Sequence, residues 1–102
     1  MKFTKMVAAG NDFILYNGFD YTVNNYSNLA KKSCNRHFGI GADGIMVCEK
    51  SDVADIKMIY YNSDGSRGEM CGNGIRCFSK YIYENKILNK KSFTIETLAG
   101  IK

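Results

Sequence analysis

A chain of 102 residues, 24% charged and 45% hydrophobic with seven Tyr and six Phe, has the size of one globular unit and the apolar surface for a core. Two ordinary domains and intrinsic disorder are both excluded. Its net charge of +4 comes from scattered lysines, adjacent only at Lys31-Lys32 and Lys90-Lys91, so no basic block points to nucleic acid.

In chain order, residues 2–8 and 13–16 read as two strands around the turn residues Gly10-Asn11-Asp12, closed by Asn17-Gly18. Ser27 is placed to cap a superficial amphipathic helix in which Leu29, Ala30, Cys34 and Phe38 share one face, ending near Gly39. After the loop 39–44 come two strand-like runs, 45–48 and 55–61, joined by a charged turn as a second hairpin. Residues 62–68 are turn chemistry throughout. A second helix then opens after Cys71-Gly72-Asn73-Gly74, with Ile75, Phe78, Tyr81 and Ile82 on one side, and its apolar breadth predicts burial on most sides. Residues 93–97 alternate as a strand, and Ala99-Gly100 reads as a further hairpin turn whose returning strand has only Ile101 and Lys102. The expectation is a chain that stops within a sheet, as part of a longer design; a frayed last strand is the plainer alternative. The start lacks a sustained apolar run, so neither a secretory signal nor a membrane span is expected, and the expected location is the cytoplasm.

Seven of the ten glycines fall between Gly39 and Gly74, which directs the search for function to the middle third. The sharpest feature there is Cys71, directly before Gly-Asn-Gly at a helix start, where unpaired N–H groups and the positive end of the helix dipole favour a thiolate and a bound carboxylate or phosphate. Taken alone, a C-G-x-G at a helix start is more often an ordinary buried cysteine. Asn11, Asn62, Ser63 and Asp64 are turn residues that a polar ligand could also use. Glu69 would raise the thiol's pKa if it faced inward, so it is read as exposed, and Arg67 either pairs with it or lies in solvent.

Four cysteines without a C-x-x-C pair argue for reduced thiols and against zinc. Cys34 and Cys48 are expected in the core, and Cys77 lies too far along the helix to pair with Cys71. The single His37 suits a helix C-terminus better than a metal or a nucleophile pair. Gly39, Gly41 and Gly44 match the dinucleotide-binding spacing, but a helix precedes them and a strand follows, the reverse of what that motif needs.

The segments KFTKMVAAGNDFILY, NRHFGIGADG, NSDGS and MCGNGIRCF, in this order over essentially the whole chain, resemble the N-terminal half of the diaminopimelate epimerase family. Proline racemase relatives carry histidine where this chain has Asn73. The resemblance implies an α+β fold with an antiparallel or mixed sheet wrapped around a central buried helix. It implies that residues 1–102 are one of two such domains, incomplete and facing an absent C-terminal partner across a cleft. It further implies a cofactor-independent and metal-free amino-acid epimerase interconverting LL- and meso-diaminopimelate in lysine and peptidoglycan synthesis, with a homodimer as a further possibility.

By motif, Cys71 would be one of two cysteine acid/bases, Gly72 and Asn73 would bind the substrate carboxylate, and Asn11 and Asn62 would hold its polar groups. Some family members have glutamine where this chain has Gly44, so no polar contact is carried over to that position. With one of the two cysteines, the isolated chain is expected to be inactive or nearly so. The alternatives are a racemase of another amino acid such as proline, and a non-catalytic half-domain acting as a binding or dimerising module. A thiol redox protein is disfavoured because no resolving cysteine lies nearby.

Overall fold

Successive side chains of a strand point to opposite faces, and in β2 (Asn11–Asn17) both faces are buried: Phe13 and Leu15 join one apolar cluster, Ile14 and Tyr16 another. The computed structural model describes residues 2–8, 10–21, 23–69 and 72–101. Around β2 lie β1 (Thr4–Ala8), β3 (Gly44–Glu49), β4 (Ile56–Asn62), β5 (Ile95–Thr97) and β6 (Gly100–Ile101), a six-stranded sheet in chain order. Two helices, α1 (Tyr26–Cys34) and α2 (Gly72–Glu84), complete the α+β fold.

The three expected hairpins form: β1 with β2, β3 with β4, and β5 with β6 are antiparallel. The hairpins are joined by parallel pairings, Phe13 opposite Gly44 and Ile56 opposite Ile95. Each parallel step crosses over through a helix, and such crossovers are almost always right-handed. Both steps move the same way across the sheet, but strand direction has reversed between β3 and β4, so the rule sends the two helices to opposite faces. Accordingly Ala30 and Cys34 of α1 pack with Ile14, Ile45, Val47 and Ile59. Phe78, Tyr81 and Ile82 of α2 pack with Phe13, Leu15, Met46, Met58 and Ile95.

Helix α2 is buried along one side, at Cys77, Phe78, Tyr81 and Ile82, while Arg76, Lys80, Tyr83 and Glu84 are exposed. The expectation of burial on most sides is therefore too broad, because the sheet covers a single face and the charged positions turn away from it. Helix α1 also departs from expectation at both ends. Its cap is Asn25, whose side-chain oxygen accepts the Asn28 N–H at 3.0 Å, and Ser27 instead donates to the Gly65 carbonyl at 2.6 Å. The helix ends at Cys34 because the Asn35 side chain takes the His37 and Phe38 N–H groups at 2.8 and 3.0 Å. Phe38 is thereby turned outward, 94% exposed, and His37 lies in a turn beyond the helix.

One polar cluster ties the start of β2 to the start of β3. Arg36 grips both oxygens of Asp12 at 3.3 and 3.1 Å and reaches Asp43 at 3.3 Å. The two aspartates exchange side-chain bonds with each other's backbone: Asp12 N–H to Asp43 at 3.0 Å and Asp43 N–H to Asp12 at 3.1 Å. Lys5 adds an ion pair to Asp12 at 3.5 Å. The Arg36 guanidinium, helped by Asp43 and Lys5 and against partial burial, holds the Asp12 carboxyl well below the usual carboxylate range. Ser63 N–H donates to the Asp43 carbonyl at 3.0 Å, which brings the end of β4 into the same assembly.

Two outcomes follow from this packing. A Cβ at Gly39 would fall 2.1 Å from the Lys32 carbonyl oxygen, backbone that has no room to yield, so Gly39→Ala is expected to destabilise the chain by about 2 kcal/mol or more in urea unfolding. A group whose pKa is depressed on folding contributes stability above its unfolded pKa of about 3.9 and loses it as pH falls. Stability should therefore drop as pH is lowered from 5 to 3, and Asp12→Asn should make that drop shallower while lowering stability at pH 7.

Candidate functional site

The register gathers one end of the sheet. Gly44, first in β3, is opposite both Phe13 of β2 and Asn62, the last residue of β4. With strands spaced about 4.8 Å apart, Asn62 lies about 10 Å across the sheet from β2, at the end where β2 begins with Asn11. Asn11 is exposed and pairs with Ala8 across Gly10, which has a φ of +84°, so it belongs to the strand and not to the turn.

Asn62 is fixed by a tight turn. Its N–H donates to the Ser66 carbonyl at 2.8 Å, its side-chain nitrogen to the Ser66 hydroxyl at 3.0 Å, and its carbonyl accepts the Gly65 N–H at 2.9 Å. Asp64 accepts from the Ser66 N–H and hydroxyl at 2.8 and 2.6 Å, and these bonds hold its carboxyl below the usual range. The chain then returns past β4, with Gly68 N–H donating to the Tyr60 carbonyl at 3.0 Å. Arg67 sits 5.9 Å over the Tyr61 ring, and Glu69 is exposed as expected.

Helix α2 runs toward this end. Its last turns lie at the opposite end of β2: Tyr81 and Asn85 border a hollow of about 270 Å³ together with Thr4 and Asn17. Two further hollows, of about 440 and 410 Å³, also flank that far end of the helix. The helix N-terminus, beginning at Gly72 and Asn73, therefore points to the end of the sheet that carries Asn11, Gly44 and Asn62. Its free amides and positive dipole end suit an anionic group. Cys71, immediately before the helix in sequence, lies outside the described residues.

The other three thiols are core groups. Cys34, Cys48 and Cys77 are buried and free. Burial pushes Cys34 up to about 11 despite the opposing charge of Arg36, and pushes Cys48 up to about 11 as well. A thiol held that high stays protonated near neutral pH and is unsuited to act as a base. Among the described residues no group of three or more His, Cys, Asp or Glu side chains is placed to hold a metal ion. No helix of the described residues is long and apolar enough to cross a membrane.

Two features of this end were not predicted from the sequence. The Asp12–Arg36–Asp43 assembly joins residues far apart in the chain, and its only trace was the acidic residue beside each turn. The second is Tyr60, whose ring lies between Gly44 and Gly68; it read simply as one more apolar position of β4.

The model of the family described as diaminopimelate epimerase matches residues 3–102. Diaminopimelate epimerase of Caldanaerobacter subterraneus subsp. tengcongensis is 57% identical over 101 residues, 99% of this chain. The protein of the same name from Alkaliphilus metalliredigens is 54% identical over 100% of it. The chain spans 36% of the length of each of these relatives. Among solved structures, a PhzF-family phenazine biosynthesis protein of Bacillus anthracis superposes with a TM-score of 0.71 at 27% identity, covering 97% of this chain and 32% of that one. The Enterococcus faecalis PhzF-family structure, with a TM-score of 0.67 at 10% identity over 90% of this chain and 32% of its own, is alike in fold alone. The six-stranded mixed sheet, the two helices on opposite faces and the match over nearly the entire chain lead to one conclusion: this chain belongs to the diaminopimelate epimerase family.

Proposed function

We propose that this chain is the N-terminal, incomplete part of a cofactor-independent epimerase that interconverts LL- and meso-diaminopimelate. The observation that carries the reading is the orientation of α2: its first residues, Gly72 and Asn73, follow Cys71 in sequence and point to the end of the sheet that holds Asn11 and Asn62. An amino-acid substrate placed there would set its α-carboxylate on the free amides of the first turn. The same amides would stabilise the negative charge that develops when the α-proton leaves.

Inversion needs a base on one face of the carbon and an acid on the other. Cys71 as thiolate would take the α-proton and become a thiol, while an opposed thiol would deliver its proton to the other face and become a thiolate. In the reverse direction the roles exchange. The second thiol has no candidate among Cys34, Cys48 and Cys77, which are buried, and is assigned to the part of the family's length that this chain does not span. The exposed side chain of Val7, opposite Asp12 beside the Asn11 end, suits coverage by that remainder. A racemase of proline fits less well, since a substrate with one polar end leaves Asn11 and Asn62 without a second group to hold.

In the full-length protein carrying this chain, epimerisation of LL-diaminopimelate in D2O should place solvent deuterium at the inverted carbon. Cys71→Ala should lower kcat by about 100-fold or more, while Cys34→Ala should leave kcat within a few fold. The 102-residue chain by itself should show no turnover. Robust activity of the chain alone, or full activity of Cys71→Ala, would refute the two-thiol assignment.

A further inference from the structure

Tyr60 is held in a slot made by two glycines. A Cβ at Gly44 would fall 2.6 Å from ring atom Cε1 and 2.7 Å from the hydroxyl oxygen, and a Cβ at Gly68 would fall 2.8 and 2.9 Å from Cε2 and Cδ2. The contacts are on opposite edges of the ring, so any side chain at either position would displace it. Phe13 packs against it edge-on, with centroids 6.1 Å apart at 75°.

Tyr60 pairs with Met46 in the ladder, yet its hydroxyl reaches the row of Gly44 and Asn62. The side chain thus leans along the strand toward the end of the sheet faced by the N-terminus of α2. The residue is 8% exposed. Its hydroxyl nevertheless has no hydrogen-bond partner among the described residues, whereas the hydroxyl of Tyr16, another buried tyrosine, is bonded to Ser33 at 2.7 Å. Among the described residues no fully buried side-chain oxygen lacks a partner, so this unpartnered hydroxyl keeps a small opening to the surface, through which a ligand atom can reach it and recover the hydrogen bond that partial desolvation costs it. Burial first, and then the neighbouring Cys34, Asp43 and Asp64, raise its pKa, so it stays a neutral donor. The complement of a donor at this place is a strong acceptor, and the strongest acceptors on an amino acid are its carboxylate oxygens.

We propose that Tyr60 is a substrate-contacting residue, its hydroxyl donating a hydrogen bond to a carboxylate oxygen of the amino acid bound at the N-terminal end of α2. The proposal rests on the epimerase reading and adds to it the strand residue that fills the space over Gly44. Glycine at position 44 then has a definite use: it admits the Tyr60 ring.

Steady-state kinetics of the full-length protein on diaminopimelate provide the test. Tyr60→Phe keeps the ring in its slot and removes only the oxygen; KM should rise about tenfold or more, with kcat within about threefold and an unchanged Tm. Gly44→Ala, which pushes the ring aside, should also raise KM by displacing the same hydroxyl. Because both changes act on the same hydrogen bond, the double variant should have a KM no higher than Tyr60→Phe alone. A KM for Tyr60→Phe within twofold of the parent enzyme would overturn the assignment while leaving the epimerase reading intact. A parent enzyme that does not epimerise diaminopimelate would instead overturn that reading, and this assignment with it.

Discussion

The direction in which α2 points is the constraint on which the rest depends. A right-handed crossover between β4 and β5 leaves the helix one face of the sheet, and burial of Phe78, Tyr81 and Ile82 against Phe13, Leu15 and Met58 fixes it there. Fully burying side chains of this size is worth about 1.5–3 kcal/mol each, far more than any single polar contact on the surface. The helix N-terminus is thereby held over one end of the sheet by apolar packing, without help from the polar groups that gather there. Those groups are organised separately, by Arg36 between Asp12 and Asp43 and by the Asn62–Ser66 turn. The division lets the polar end be shaped for a ligand while the core carries the stability.

Much of this was legible in the sequence wherever the determining contacts are local. Gly10 and the Asn62–Gly65 turn marked strand ends, the alternation at 93–97 marked a strand, and Gly72 to Gly74 marked a helix start, and each stands where its chemistry placed it. The errors have physical reasons of equal clarity. Asn25 and Ser27 are comparable caps by residue type, and the choice was settled by the Gly65 carbonyl, 38 residues away, which takes the Ser27 hydroxyl. Phe38 continues the apolar stripe of α1 on paper, yet Asn35 competes for the backbone amides and ends the helix first. The parallel pairings, the arginine bridge between two aspartates and the slot around Tyr60 all depend on residues brought together from distant segments. No local pattern encodes them.

On the proposed reading the polar end of the sheet is one half of a site. It presents donors and carboxylates on an open surface, whereas the hollows lie around the far end of α2. On the proposed reading the enclosure that excludes water and sharpens electrostatics comes from the remainder of the family's length, and this chain contributes one thiol, the helix terminus and the strand ends that orient the substrate. The raised pKa values of Cys34 and Cys48 fit that division. Packing keeps those two thiols inert, and the proposed reading gives proton transfer to a cysteine in a different setting.

On the proposed reading the central claim is electrostatic: the thiol preceding α2 in sequence would be acidified by the helix terminus, unlike the thiols of the core. The most direct measurement is the pH dependence of iodoacetamide alkylation, followed cysteine by cysteine with peptide mass spectrometry. The account predicts that Cys71 reacts fastest, with a midpoint below the ordinary thiol value of about 8.5, while Cys34, Cys48 and Cys77 stay protected in the folded chain. A Cys71 midpoint at or above that value, or alkylation no faster than that of Cys34, would contradict it.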